Sequence, residues 1–91
     1  MDEGSQFLAV ELDRLMKVPL GNKSDVAAWY QDAGRVQRSL VERFPTLEFP
    51  HEVWHFFADA DIRARDAEYR LRQEQVIADY IKKVRGVNHS V

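Results

Sequence analysis

The stretch from Pro50 to Gly86, PHEVWHFFADADIRARDAEYRLRQEQVIADYIKKVRG, decides the fold of this chain. Pro50 stands at the start of the stretch, and proline is tolerated as the first residue of a helix. Gly86 follows a cluster of basic residues, and a glycine after basic residues is typical of the end of a helix. Between them there is no Gly and no Pro, the residues that most often interrupt a helix. The sequence therefore predicts one helix over about 50–85, against which the rest of the chain must pack.

Two shorter helices are predicted upstream. The first covers about 5–18 with Ser5 as its cap, and the second covers about 25–43 with Ser24 or Asp25 offering the capping oxygen. The apolar face of the first consists of Phe7, Leu8, Leu12, Leu15 and Met16. The apolar face of the second consists of Val26, Trp29, Ala33, Val36, Leu40 and Phe44. This pattern predicts an all-α domain with a short, a medium and a long helix.

The connection between the second and third helices is bounded by two prolines, which favour an extended backbone. We expect its three large apolar residues, Phe44, Leu47 and Phe49, to fold back over the core. Residues 1–91 form one domain in this interpretation, and residues 87–91 are a tail beyond the last helix.

The composition excludes several classes of function. With 91 residues, of which 45% are hydrophobic, the chain makes one small domain with a modest core. Its 13 basic and 15 acidic side chains leave a net charge of -2, which gives no field that attracts nucleic acid. There is no Cys, so disulfides and thiolate catalysis are absent.

No apolar run approaches the roughly 18 to 20 residues of a membrane span. The acidic segment Met1–Ser5 is unlike a secretory signal. Arg35, Arg38 and Arg43 form a small basic edge that we interpret as solvated charge. We therefore expect a cytoplasmic protein that binds neither nucleic acid nor a membrane.

The length of the predicted third helix indicates a role in association. It would be roughly 50 Å long, whereas a compact chain of this size is about 30 Å across. Small and apolar residues form a seam along it, and its C-terminal third has a broad apolar face. The sequence thus predicts a homodimer, or a complex with another protein, through these residues: Ala64, Ala67, Tyr69, Leu71, Ala78, Tyr80, Ile81 and Val84.

The charges along the same stretch favour a continuous helix. Five acid–base pairs stand four residues apart with the acid first, which is the favourable order on a helix. They are Asp59 and Arg63, Asp61 and Arg65, Asp66 and Arg70, Glu68 and Arg72, and Asp79 and Lys83. The alternative is a break near 58–61 that folds the helix back on itself, although no Gly or Pro is present to cause it.

One motif in this stretch suggests an enzyme instead. His51-Glu52-Val53-Trp54-His55 places two imidazoles one turn apart on one side of a helix, a geometry that holds Zn²⁺ while the Glu acts as base. The motif resembles that of zinc peptidases. Asp61, six residues after the second His, is similar to the third ligand of the snapalysin type, although Ala58 replaces the Gly of that pattern.

The resemblance implies a minimal zinc-dependent hydrolase with His51, His55 and Asp61 as ligands and Glu52 as the catalytic base. In a continuous helix, however, Asp61 points away from both histidines, so the long helix and the zinc site are competing hypotheses. We favour the helix. The predicted function is therefore a small non-enzymatic interaction module without a cofactor, acting as a homodimeric adaptor, a regulator or an antagonist or immunity-type binding protein.

Overall fold

The computed structural model describes residues 3–86, in which every regular element is an α-helix. The elements are α1 (Glu3–Met16), α2 (Lys23–Arg43), α3 (His51–Ala58), α4 (Ala60–Arg65) and α5 (Ala67–Arg85). The predicted all-α class is confirmed, and the predicted count of three helices is wrong. None of these five helices is both long enough and apolar enough to cross a bilayer. The predicted tail over 87–91 lies outside the described residues.

The first two helices match their predictions closely, but their caps differ. Ser5 lies inside α1 and is buried, since the helix is already formed at Glu3. Asn22 caps α2 instead of Ser24 or Asp25, because its side-chain oxygen accepts a 2.8 Å hydrogen bond from the Asp25 amide. The Asp25 carboxylate accepts from the backbone amide of Gly21, so it reinforces the preceding turn.

The predicted long helix is the main correction. It is interrupted at Asp59 and again at Asp66, and the three pieces fold back on one another, with α3 and α4 both packed against α5. The longest dimension of the molecule is 39 Å, which a straight helix of roughly 50 Å would exceed. The alternative prediction, a break near 58–61, therefore describes the structure, in which the chain is interrupted at Asp59.

The core lies where α1 crosses between α2 and α5. The predicted inner faces of α1 and α2 are confirmed, with Leu8, Leu12 and Leu15 meeting Trp29 and its helical neighbours. The fold-back adds three residues of α3 and three of α5 to this core. They are Val53, Phe56, Phe57, Ile77, Ile81 and Val84.

The connection after α2 closes one end of the core, as predicted. Phe44, Leu47 and Phe49 are partly buried and pack against the core residues. Phe44 also explains a glycine at the start of α1, because a Cβ added to Gly4 would lie 3.1 Å from the Phe44 ring. Gly86 ends α5 in the left-handed conformation with φ 66°, which confirms it as the helix stop.

Candidate functional site

The residues predicted to form the dimer interface are divided between the core and the surface. Ile81 and Val84 are buried, and the α5 turn that carries them is tied to α1 by a hydrogen bond from Gln6 to the Val84 carbonyl. Tyr80 packs at the edge of the same core. Leu71 lies further along α5 and is 68% exposed. The apolar face that the sequence left uncovered is thus covered in large part by α1 of the same chain.

The other predicted interface residues lie outside the core. Ala64 is exposed on α4, Ala67 is exposed at the start of α5, and Ala78 is half-buried. Tyr69 donates a hydrogen bond to the Asp59 carboxylate at the first break. A single continuous seam therefore does not exist, because the break at Asp66 separates Ala64 from the α5 residues.

The predicted zinc ligands are also separated. His51 and His55 are exposed on α3 with ring centroids 5.3 Å apart, so the predicted histidine pair forms. Asp61 instead lies beside α2, where its carboxylate is 2.9 Å from the Tyr30 hydroxyl, a hydrogen bond that lowers the pKa of Asp61. Within residues 3–86 no three His, Asp or Glu side chains are arranged to hold a metal ion. Glu52 and His55 line a cleft of about 220 Å³ between α3 and α5.

The five predicted helical ion pairs do not form in the described part of the chain. For the pair of Asp59 and Arg63 the reason is burial, because Arg63 is 2% exposed rather than solvated. Its guanidinium lies over the rings of Trp29 and Phe56, at 4.6 Å and 4.1 Å from their centroids. It donates hydrogen bonds to the Phe56 carbonyl and to the Gln73 side chain. Burial lowers the pKa of Arg63 to about 10.

This arrangement fixes α3 against α2 and α5. Phe56 meets Trp29 edge to face at 5.3 Å, and the Trp29 indole donates a 3.1 Å hydrogen bond to the Leu15 carbonyl of α1. Because Trp29 and Arg63 contact Phe56 on the inner face of α3, the outer face of α3 has a fixed orientation. That outer face carries Trp54, which is 52% exposed.

A second open surface is a groove between α2 and the start of α3, lined mainly by apolar side chains, which we call the α2–α3 groove. Its volume is about 550 Å³. It is lined by Gly34, Gln37, Arg38, Leu40, Val41, Phe44, Pro45, Leu47, Phe49 and Trp54. Val41 is 69% exposed and Trp54 is 52% exposed, so two large apolar side chains that line the groove face solvent.

A local packing motif builds one wall of the α2–α3 groove. Pro50 is the N-cap of α3, so Phe49 precedes the cap and Trp54 is the fourth helical residue. Their rings lie 4.9 Å apart, which is the hydrophobic staple that sets the angle at which a chain enters a helix. The staple is absent from the features predicted from the sequence, although Phe49 and Trp54 have the required spacing around Pro50.

The electrostatics of the α2–α3 groove are simple. Arg38 is the one charged side chain among its described lining residues. Within residues 3–86 it has no ion-pair partner, whereas Arg35 pairs with Asp32 and Arg43 lies over Phe7 and Phe44. The groove therefore combines exposed apolar side chains with one uncompensated cation.

Comparisons of the chain with protein-family models, with curated proteins and with solved structures find no match.

Proposed function

We propose that this protein is a small non-enzymatic interaction module that binds another protein through the α2–α3 groove. The observation that carries the proposal is the exposure of Val41 and Trp54 on opposite sides of one apolar groove. Exposed apolar surface of this kind costs solubility, and tryptophan is among the residues that contribute most to binding energy. Adaptor, regulator and antagonist remain the predicted roles.

The occupant we propose is an apolar segment of a partner protein with an Asp or Glu beside it. The apolar residues would pack on Val41, Trp54 and Phe49, and the carboxylate would pair with Arg38. The predicted homodimer through an uncovered seam of the long helix loses its main support, because α5 is covered by α1 instead of projecting from the domain. Self-association through the groove is an outcome that the test below distinguishes.

The test is selection from a displayed library of random 12-residue peptides, followed by calorimetry on the enriched sequences. We expect enrichment of apolar peptides that carry an acidic residue. Val41→Asp should weaken their binding at least about tenfold, because a charge would enter the apolar contact. Val10→Asp is the matched control, since Val10 is 53% exposed on α1 and does not line the groove.

Arg38→Glu tests the charge component separately. It should weaken acidic peptides and leave apolar peptides flanked by Lys unaffected or strengthened. If no peptide is enriched, or if Val41→Asp and Val10→Asp behave alike, the groove is not the binding site. If Val41→Asp abolishes a concentration-dependent increase in the mass of the free protein, the occupant is a second copy.

A further inference from the structure

The stretch from α3 to α5 is interrupted at two residues that do not require an interruption. Asp59 has φ -111° and ψ 23°, and Asp66 has φ -133° and ψ 100°. In the described part of the chain Gly86 is the one residue with positive φ. Both Asp residues can therefore adopt helical dihedral angles without a steric penalty.

The first break is held by a side chain from another helix. The Tyr30 hydroxyl of α2 accepts a 3.2 Å hydrogen bond from the Asp61 amide. It also lies 2.9 Å from both the Ala58 carbonyl and the Asp61 carboxylate, to one of which it donates. These contacts satisfy backbone groups that a break leaves without helical partners.

Side chains of α5 complete the bend. Tyr69 donates to the Asp59 carboxylate, and Gln73 donates to the same oxygen at 3.3 Å. At the second break the Asp66 carboxylate accepts a 3.0 Å hydrogen bond from the Tyr69 amide. The bend at Asp59 is thus stabilised by long-range contacts with two other helices, from Tyr30 of α2 and from Tyr69 and Gln73 of α5.

Local interactions favour the straight form. A continuous helix would place Asp59 one helical turn before Arg63 and Asp66 one turn before Arg70, two pairs that are interrupted at the acid and do not form within residues 3–86. It would also release the Nη2 atom of Arg63, which is buried without a hydrogen-bond partner in that range, although the stacking of Arg63 on Trp29 and Phe56 would be lost. One copy cannot straighten alone, because α5 would leave α1 and expose Ile77, Ile81 and Val84.

We infer that a second copy of this chain is a partner, and that the two copies exchange α5. In the exchanged dimer 51–85 is one helix in each copy, and each α5 packs on the α1 and α3 of the other. Such an exchange restores the packing of α5 on α1 and α3, and it changes the hinge at Asp59–Asp66, including the buried contacts of Ala60 and Arg63. Exchange of an identical element is in general a low-cost route to dimers. The population of the exchanged dimer rises with concentration.

The experiment measures a distance within one chain. Glu52 and Val76 line the same cleft in the folded-back monomer, so spin labels at Glu52→Cys and Val76→Cys lie close together. In a straight helix the two positions are roughly 36 Å apart. The chain has no native Cys to interfere with labelling. Labelled chain is diluted into excess unlabelled chain, unfolded, refolded at several hundred micromolar and measured by pulsed electron resonance.

Two variants should increase the exchange. Tyr30→Phe removes the hydroxyl at the first break, and Asp66→Ala removes the cap at the second, so each should lower the dimer dissociation constant by about tenfold. Arg65→Ala is the matched control for Asp66→Ala, because Arg65 is the adjacent exposed residue and makes no hinge hydrogen bond. It should leave the dissociation constant unchanged.

Three results would overturn the inference. One is a chain that stays monomeric by light scattering in the wild type and both hinge variants. Another is a dimer in which only the short distance appears, which indicates association of folded-back monomers. The third is an equal effect of Arg65→Ala and Asp66→Ala. Val41→Asp should not affect the exchange, so failure here is distinguishable from failure of the groove proposal.

Discussion

The guanidinium of Arg63 donates a 2.7 Å hydrogen bond to the carbonyl oxygen of Phe56, seven residues earlier in the chain. In an uninterrupted helix that carbonyl would accept from the amide of Ala60, and Arg63 would lie about 10 Å further along the axis. The bond exists only because the chain bends at Asp59. A residue that looks like a solvated surface charge in the sequence is therefore a central part of the fold.

Arg63→Ala should lower the free energy of unfolding by about 2–4 kcal/mol, because it removes stacking on two rings and leaves the Phe56 carbonyl without its donor. Urea denaturation followed by circular dichroism measures this change. Arg65→Ala, an exposed change on the same helix, should stay within about 0.5 kcal/mol. Equal effects of the two variants would contradict the buried position of Arg63.

The two tryptophans should differ in their access to a soluble quencher. Trp29 is 1% exposed and Trp54 is 52% exposed. In Trp54→Phe the remaining emission should be blue-shifted and resist acrylamide, whereas in Trp29→Phe the remaining emission should be readily quenched. Trp29→Phe should also lose about 1–3 kcal/mol of stability, because the hydrogen bond from the buried indole to Leu15 is lost. Similar quenching in both variants would argue against this packing.

Two residues predicted for one interface should respond differently to truncation. Ile81→Ala should cost about 2–4 kcal/mol in unfolding free energy, because Ile81 is 5% exposed in the core. Leu71→Ala should stay within about 0.5 kcal/mol, because Leu71 is 68% exposed. Thermal or urea denaturation of both variants at low protein concentration measures the two unfolding free energies. A large cost at Leu71 would indicate that this residue is covered.

The link between α1 and α2 should depend on pH. Arg14 contacts both carboxylate oxygens of Asp32, at 2.8 Å and 2.9 Å, and these hydrogen bonds lower the pKa of Asp32. A carboxylate whose pKa is lower in the folded state stabilises the fold above its unfolded pKa, and this contribution is lost as the pH falls through the folded pKa.

Asp32→Asn should therefore lower the unfolding free energy by about 0.5–1 kcal/mol at pH 7, and this difference from the wild type should shrink below about pH 4. Urea denaturation at pH 7, 4 and 2.5 measures the difference. Arg14→Gln should reproduce the same trend, because it removes the other partner. A difference that stays constant with pH would show that the ion pair is not its cause.

The predictions that succeeded rest on local signals. The inner faces of α1 and α2 follow from helical spacing of large apolar residues, and Gly86 ends α5 because a left-handed residue closes the last turn. The closing role of Phe44, Leu47 and Phe49 followed from their apolar character beside two prolines.

The main prediction that failed, the continuous third helix, depends on Asp residues with two possible roles. Asp is a good N-cap and also a good partner for Arg four residues later, so Asp59 and Asp66 fit either a break or a continuous helix. Spacing favoured the continuous helix. Nothing in the local sequence could indicate that Tyr30, which is distant in the chain, would bond to the backbone at the break.

The sequence by itself determined that this chain is helical, which faces of its first two helices are buried, and where the last helix stops. Periodicity and capping decide these features within a few residues, because the interactions involved are local. Only the tertiary structure decided that 51–85 is three helices, that Arg63 is buried, and that Val41 and Trp54 share the α2–α3 groove. Folding back buries Val53, Phe56 and Phe57 of α3 while α1 covers α5, and that gain is larger than the local preference for a straight helix.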